Sequence, residues 1–547
     1  MNTIPYEELG PPTPFSFSTL FQDYMAKSKE IDQFFPRHFM RNKDWKSTID
    51  AVTRRSLDRS EVAKILSQQN RSYQCGVKTL ANIDLLLNDN TVAVVTGQQV
   101  GLFTGPMYTL YKALTAVGLC DHLSKVFPEI SFVPVFWVEG EDHDFEEVSK
   151  IGLLTAANEY ATFRYVPDEK MVGKNTGASG RVAFTETINK FLKDLRSSLP
   201  ATDFTEQTFE LLRTAHQPGM TFAQSFIHMM NILLEESGII FLDPNTPDVK
   251  QLLKPVFRKE ITEGSEACRL VIGQSELLEE RYHAQVKPKS VNAFLFHEKG
   301  RFPIEPHPDG FSLKGVRKHF TRDELLTLLD EHPESFSPNV VLRPICQDTL
   351  LPTVAYVGGP SEIAYMAQLQ PLYDLHGIPA PIIYPRAGVT IIEEKVEKVL
   401  QRFSIEALEL FKDVEGVKTR IAASVSDFKA EELFASTSGS IEESINSLRS
   451  GILSIDKTLE QPIDNTLQRV ISTVESLKQK TLSAQKRQHE TYLRQVDKAY
   501  LHLAPGGAPQ ERTVSIVYYL NKYGPEFVRW LTGELRSDIH AHQLIRI

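Results

Sequence analysis

A chain of 547 residues with 41% hydrophobic and 24% charged residues is ordinary globular material, too long for one core of roughly 100–200 residues, so two to four structural units are expected. A formal charge of -10 without a long basic run excludes a binder that neutralises nucleic-acid phosphates and favours small-molecule partners. The four cysteines, Cys75, Cys120, Cys268 and Cys346, form no C-x-x-C pair, which excludes a zinc knuckle and a disulfide framework. Reduced thiols, no export signal in MNTIPYEELGPPTPF and no run near the ~18 apolar residues of a membrane span together imply a cytoplasmic protein.

Residues 1–90 read as a helical segment packing on a core, because Trp45, Ile49, Val52 and Leu57 recur at helical spacing among charges. The core begins at 91–155, where the β-branched run Thr91 to Val95 passes through a glycine turn into a helix from about Pro106 to Leu123. Further short apolar runs at Phe132 to Val138, Gly238 to Leu242, Thr353 to Val357 and Pro381 to Tyr384 predict a mostly parallel sheet covered on both faces. Between them lie a mainly helical insertion (156–236), more core (237–283), a β-rich insertion (284–320) and the last part of the core (321–390).

Heptad spacing follows. Ile441, Ile445, Leu448, Ile452, Ile455 and Leu459 precede Gln461-Pro462, and Ile463, Leu467, Val470, Val474 and Leu477 resume the rhythm after it. Residues 391–505 are therefore expected to form an antiparallel α-helical coiled coil turning at the proline, either a dimer arm or a self-contained appendage. A short helical tail, 506–547, closes the chain.

Three places have the residues for chemistry. The first βα turn sets Gly97, Gln98, Gln99, Gly101 and Gly105 where strand ends meet ligands, although its spacing matches neither the dinucleotide nor the Walker fingerprint. Tyr108 and Lys112 share a face of the helix that follows, where Lys112 is either an anion ligand or a solvated lysine. The second strand runs through Trp137 into Glu139, Glu141, Asp142, His143 and Asp144, a cluster able to hold an ammonium, hold a divalent ion or accept a proton through His143. Its competing reading is an acidic loop in which Asp144 caps a helix with Glu147 three residues on. Zinc-ligand spacing is absent, so no metal site is assigned. The third place holds Gln347 and Asp348, then Gly359 and Glu362 in a second glycine turn, and Arg386 after the last strand, either a carboxylate clamp or half of a structural ion pair. Cys346 has no neighbouring histidine and reads equally as packing or nucleophile.

Taken together, TGQQVGLFTGPMYTLYK, FVPVFWVEGEDHDFEEV and QDTLLPTVAYVGGPSEIAY, their order, the heptad hairpin and the segment Pro509 to Arg512 resemble the bacillithiol biosynthesis cysteine-adding (cysteine ligase) family over nearly the whole chain. The resemblance implies an α/β protein with a Rossmann-like core, connecting insertions and a coiled-coil homodimer arm. It implies a C–N ligase joining the carboxyl of cysteine to the glucosamine amine of glucosaminyl-malate, giving bacillithiol, with ATP or ADP as the nucleotide and Mg2+ as its companion. On that reading Glu141, Asp142, His143 and Asp144 are catalytic. Gly97, Gln98, Gln99, Tyr108, Lys112, Trp137, Gln347, Asp348, Gly359, Glu362 and Arg386 bind substrate, and Gln510, Glu511 and Arg512 meet the nucleotide. Two rivals stand beside it: another ATP-dependent amino-acid ligase or nucleotidyltransferase on the same core, and a non-catalytic nucleotide-binding coiled-coil scaffold.

Overall fold

A computed structural model describes residues 2–168, 175–424, 429–488 and 490–547, so residues 169–174 of the expected insertion and 425–428 and 489 of the expected arm lie outside the described residues. The chain divides into two units, residues 1–391 with 505–546, and residues 392–504 with 547.

The first unit is built on five strands, β1 (Thr91–Gln99), β2 (Ser131–Glu139), β3 (Ile240–Leu242), β4 (Thr353–Gly358) and β5 (Ile382–Pro385), all parallel where paired, in the order β5-β4-β1-β2-β3. Val92, Ala93, Val94 and Val95 are all fully buried, which requires cover on both faces of the sheet and explains why β1 reads as a continuous apolar run. The N-terminal helices Asn42–Thr53 and Val77–Leu85 and the helix Tyr108–Val126 supply part of that cover. Strand order reverses between β1 and β4. In such sheets the crevice beyond the carboxyl ends at the reversal is where ligands bind.

The insertions shape what lies above that crevice. After β2 the chain makes an antiparallel pair, Lys150–Leu154 with Tyr160–Arg164, before the expected helices Thr187–Ser198, Thr205–Ala215 and Phe222–Leu233. The β-rich insertion is an antiparallel sheet of five strands, Ala293–His297, Gly300–His307, Gly310–Leu313, His319–Phe320 and Phe336–Pro338. Its last strand lies past the expected boundary at 320, because Ala293–His297 needs a hydrogen-bonding partner along its second edge.

The C-terminal segment is more than a helical tail. Helices Gln510–Thr513, Ile516–Tyr523 and Glu526–Glu534 lead to a strand, His542–Arg546, which pairs antiparallel with Asn2–Ile4 and lies beside Val389–Ile392.

In the second unit, helices Ala430–Ile455 and Glu460–Gln488 pack together as a hairpin, followed by Glu490–Leu503. The reversal occurs at Asp456 to Leu459, ahead of the expected proline turn. Asp456 receives the Thr458 amide at 2.9 Å, and Pro462 sits in the first turn of the second helix, where its missing N–H costs nothing. No described helix is long and apolar enough to cross a membrane.

Candidate active site

The turn after β1 is shaped by contacts that exclude side chains. A Cβ on Gly101 would stand 2.9 Å from Gly105 Cα, and Gly105 itself adopts φ +73°, so the two glycines let the backbone fold back on itself before the helix starts. Beside it, at the carboxyl ends of β1, β2, β4 and β5, opens a cleft of about 500 Å³.

Five cations line this cleft, Lys112, Arg301, Arg343, Arg386 and Arg512, against the carboxylates Glu139, Asp142 and Glu362, so an acidic protein has built a locally basic site. The cations are not equally available. Lys112 is buried and donates to Gly97 O and Gln98 Oε1, both at 2.9 Å, and it pairs with Glu362. Burial holds the Lys112 ammonium below the ordinary lysine value, opposed by Glu362. Burial also opposes ionisation of Glu362, but Lys112 and the Gly359 N–H, 2.8 Å away, bring it below the usual carboxylate value. Arg386 is held by Glu511, which accepts from Nη1 at 2.9 Å and from Val389 N at 3.0 Å. Arg301 donates to Ser337 Oγ and Pro338 O, lies 3.9 Å over the Phe294 ring, and has Nη1 3.6 Å from Asp142.

Arg343 is different. Nη1 donates to Gln347 Oε1 at 2.9 Å, whereas Nη2 is buried without a hydrogen-bond partner. A buried guanidinium donor left unpaired beside an open cleft is suited to an incoming anion. Gln347 and Asp348, expected to bind substrate, do not line the cleft but stand behind this arginine. Gln347 Nε2 donates to Asp348 at 2.7 Å and Tyr373 donates to Asp348 at 2.6 Å. Cys346 is fully buried, and burial pushes its thiol far above the ordinary value, which is poor chemistry for a nucleophile.

The acidic cluster divides three ways, because consecutive side chains after β2 point in different directions. Glu141 turns inward and pairs with Lys250, the two being 1% and 0% exposed. Asp142 and His143 face the main cleft, with His143 Nδ1 3.3 Å from Asp142 Oδ1 and Gln99 Nε2 donating to Asp142 at 2.8 Å. Burial opposes ionisation of Asp142, yet His143 and Arg301 draw it down to about 2. Asp144 caps the short helix Phe145–Val148, accepting from Glu147 N at 3.1 Å, and lines a second cleft. Glu139 stays above the ordinary carboxylate value, through burial and then Glu141.

Gly97, Gln98, Gln99, Tyr108, Trp137, Gly359 and Glu362 all line the main cleft. Of the segment Gln510 to Arg512, Gln510 binds the backbone of Ile391, Glu511 holds Arg386, and Arg512 alone lines the cleft, 5.6 Å from the centre of the Tyr108 ring. Among the lining residues that sequence reasoning did not assign are Arg301, Arg343, Phe294, Asn339, Tyr356 and Tyr365. Arg301 and Phe294 come from the β-rich insertion, where alternation reveals strands but not what faces them. Arg343 opens the helix Arg343–Leu350, and Arg343-Pro344 was the single local cue.

Residues 2–387 match the family described as Bacillithiol biosynthesis BshC, N-terminal Rossmann-like domain, and residues 389–547 match its C-terminal coiled-coil domain. The chain belongs to the BshC family. Among its relatives, a protein of Salinibacter ruber is 37% identical over 97% of both chains, and one of Chlorobaculum tepidum is 35% identical over 100% of both. A more distant relative from Bacillus cytotoxicus is 27% identical over 96% of this chain and 97% of its own. All three are named "Putative cysteine ligase BshC". The ligase name places the family among enzymes, and the strand order agrees with the Rossmann-like description of the first BshC domain.

The Arg386–Glu511 pair ties the C-terminal segment of this BshC protein to its cleft. Glu511→Gln keeps the shape and removes the charge, and is expected to cost about 1–3 kcal/mol, read from the urea midpoint. Burial opposes ionisation of Glu511, but Arg386 holds it below its ordinary value of 4.5. A depressed carboxylate contributes stability that is present above its unfolded value and lost as pH falls through the folded one. The wild-type midpoint should therefore drop more steeply than that of the variant below pH 4.5.

Proposed function

We propose that this protein joins the carboxyl group of cysteine to the amine of glucosaminyl-malate, forming the amide of bacillithiol after nucleotide-dependent activation of the carboxyl. The observation that carries the choice of acceptor is the unpaired Nη2 of Arg343 in a cation-rich cleft, because malate brings two carboxylates and needs buried donors. Arg343, and the Nη1 of Arg301, which Asp142 approaches only to 3.6 Å, suit that dicarboxylate better than Lys112 and Arg386, which Glu362 and Glu511 hold closely.

Amide formation needs an activated carboxyl, donors for the oxyanion and a base for the attacking ammonium. Asp142 suits the ammonium by charge. His143, with Nδ1 at Asp142, has Nε2 to take the proton. Gln98, whose amide donates to Tyr108 at 3.2 Å, lines the cleft and would offer its second N–H to the activated carboxyl. ATP supplies the activation. Mg2+ would enter with the nucleotide, bound mainly through its phosphates. A homodimer built on the coiled coil belongs to the same reading. Leu448, Ile455 and Leu477 are 61%, 84% and 57% exposed on the hairpin, apolar surface suited to a second copy.

Incubation with cysteine, glucosaminyl-malate and ATP, followed by mass detection, is expected to show bacillithiol with one nucleotide product. AMP would mark an adenylate, ADP an acyl phosphate. Equal use of serine, or no product with any amino acid, would sink this reading in favour of a different ligase or a non-catalytic binder.

A further inference from the structure

A second cleft, of about 640 Å³, lies on the other side of Gln98, Gln99, Tyr108 and Arg512, residues that line both spaces. Its character is opposite to that of the first. Asp144, Glu146 and Glu147 face it, against Lys150 and the shared Arg512. Two of the carboxylates are already occupied: Asp144 caps the helix, and Glu146 accepts from Arg164 at 3.0 Å. Glu147 caps no helix and, among the described residues, is paired with no arginine. Burial, then Asp144 and Asp142, raise it above the usual value, while the Gln99 side chain hydrogen-bonds to it. Since Gln99 also donates to Asp142, one amide spans the acidic groups of both clefts.

The second cleft also holds a polar group that the protein does not satisfy. Thr109 lines it, is fully buried, and its Oγ1 has no hydrogen-bond partner. Gly105 walls the same space, and a Cβ on it would stand 3.7 Å from that hydroxyl, so the two lie next to each other at the cleft wall. A carboxylate and an orphaned hydroxyl on one side, with a guanidinium at the junction, form a clamp for a zwitterion.

We propose that the second cleft is the amino-acid subsite, with Glu147 and Thr109 receiving the α-ammonium and Arg512 the carboxylate at the junction of the two clefts. The proposal rests on the cysteine ligase reading and deepens it. It puts the carboxyl at Arg512, which lines both clefts and so borders the space that Asp142 and His143 line, and the cleft leaves room for the group that activates the carboxyl. Two substrates of different charge then enter separate chambers, the dicarboxylate in the basic one and the ammonium in the acidic one.

Calorimetric binding of cysteine and of 3-mercaptopropionate, which lacks the ammonium, tests it on the full chain. The wild type is expected to bind cysteine at least tenfold more tightly, roughly the value of one charge-assisted hydrogen bond. Glu147→Gln should erase that preference and Thr109→Val should weaken it, both leaving glucosaminyl-malate binding unchanged. Variants that fold, by circular dichroism, and keep the wild-type preference would overturn the assignment, as would a wild type indifferent to the ammonium. If Glu147→Gln does not fold, the Thr109→Val result decides. Bacillithiol synthesis is scored separately: cysteine bound through Glu147 without product overturns the ligase reading alone, and product with an unaltered preference overturns the subsite alone.

Discussion

His143→Ala is expected to lower turnover by roughly 100-fold or more, the usual worth of a positioned general base. His143 is at the rim of the main cleft with Nδ1 3.3 Å from Asp142, whose carboxylate remains ionised down to about 2. An ionised partner orients the ring and stabilises the imidazolium formed when Nε2 takes a proton from the attacking ammonium. Asp142→Asn should reduce turnover in the same sense but less, because an amide retains a hydrogen bond while losing the charge. Imidazole added to His143→Ala should restore part of the rate, which a purely structural role does not predict. Folded variants with wild-type kcat would remove His143 from the mechanism.

Lys250→Met is expected to destabilise the first unit by about 3–5 kcal/mol, since it leaves the carboxylate of Glu141 buried with its counter-ion gone. Glu141 Oε2 already has no hydrogen-bond partner, and Arg301 attracts the carboxylate only through space, which offsets part of the loss without replacing the lost hydrogen bond. The double variant Lys250→Met with Glu141→Leu should recover most of the stability, because apolar residues of similar volume commonly replace a buried pair at little cost. Trp45, Trp137 and Trp530 all lie in the first unit, so their fluorescence during urea unfolding reports that unit rather than the hairpin. An unchanged midpoint in the single variant would show that water reaches Glu141 in solution. A double variant no better than the single would show that the pair acts through packing alone.

Much of the fold was legible because the signals are local. The β-branched run at Thr91 to Val95 makes a strand of itself, the glycines after it force a turn, and seven-residue spacing from Ile441 marks the hairpin helices. The turn of that hairpin was misplaced because proline is as much at home in the first turn of a helix as in a loop, and the capping by Asp456 was the deciding local feature. The β-rich insertion was visible as far as Phe320 but not to Phe336–Pro338, whose strand identity depends on pairing with Ala293 to Leu295, far back in the sequence.

The candidate site was less legible, and the acidic cluster shows why. Glu141, Asp142, His143 and Asp144 are consecutive, and by sequence they form one group. In the fold Glu141 belongs to the core with Lys250, Asp142 and His143 to a basic cleft, and Asp144 to an acidic one. Gln347 and Asp348 likewise turned from ligands into supports for Arg343, and Glu511 into the support for Arg386. By itself the sequence determined the five strands of the parallel sheet, where two glycine turns sit and that a heptad hairpin follows them, because propensity and periodicity act over a few residues. Only the tertiary structure decided which charges are free. That depends on burial and on partners such as Arg301, Arg343 and Glu511, brought to β1 and β2 from an insertion, a helix start and the segment after the hairpin.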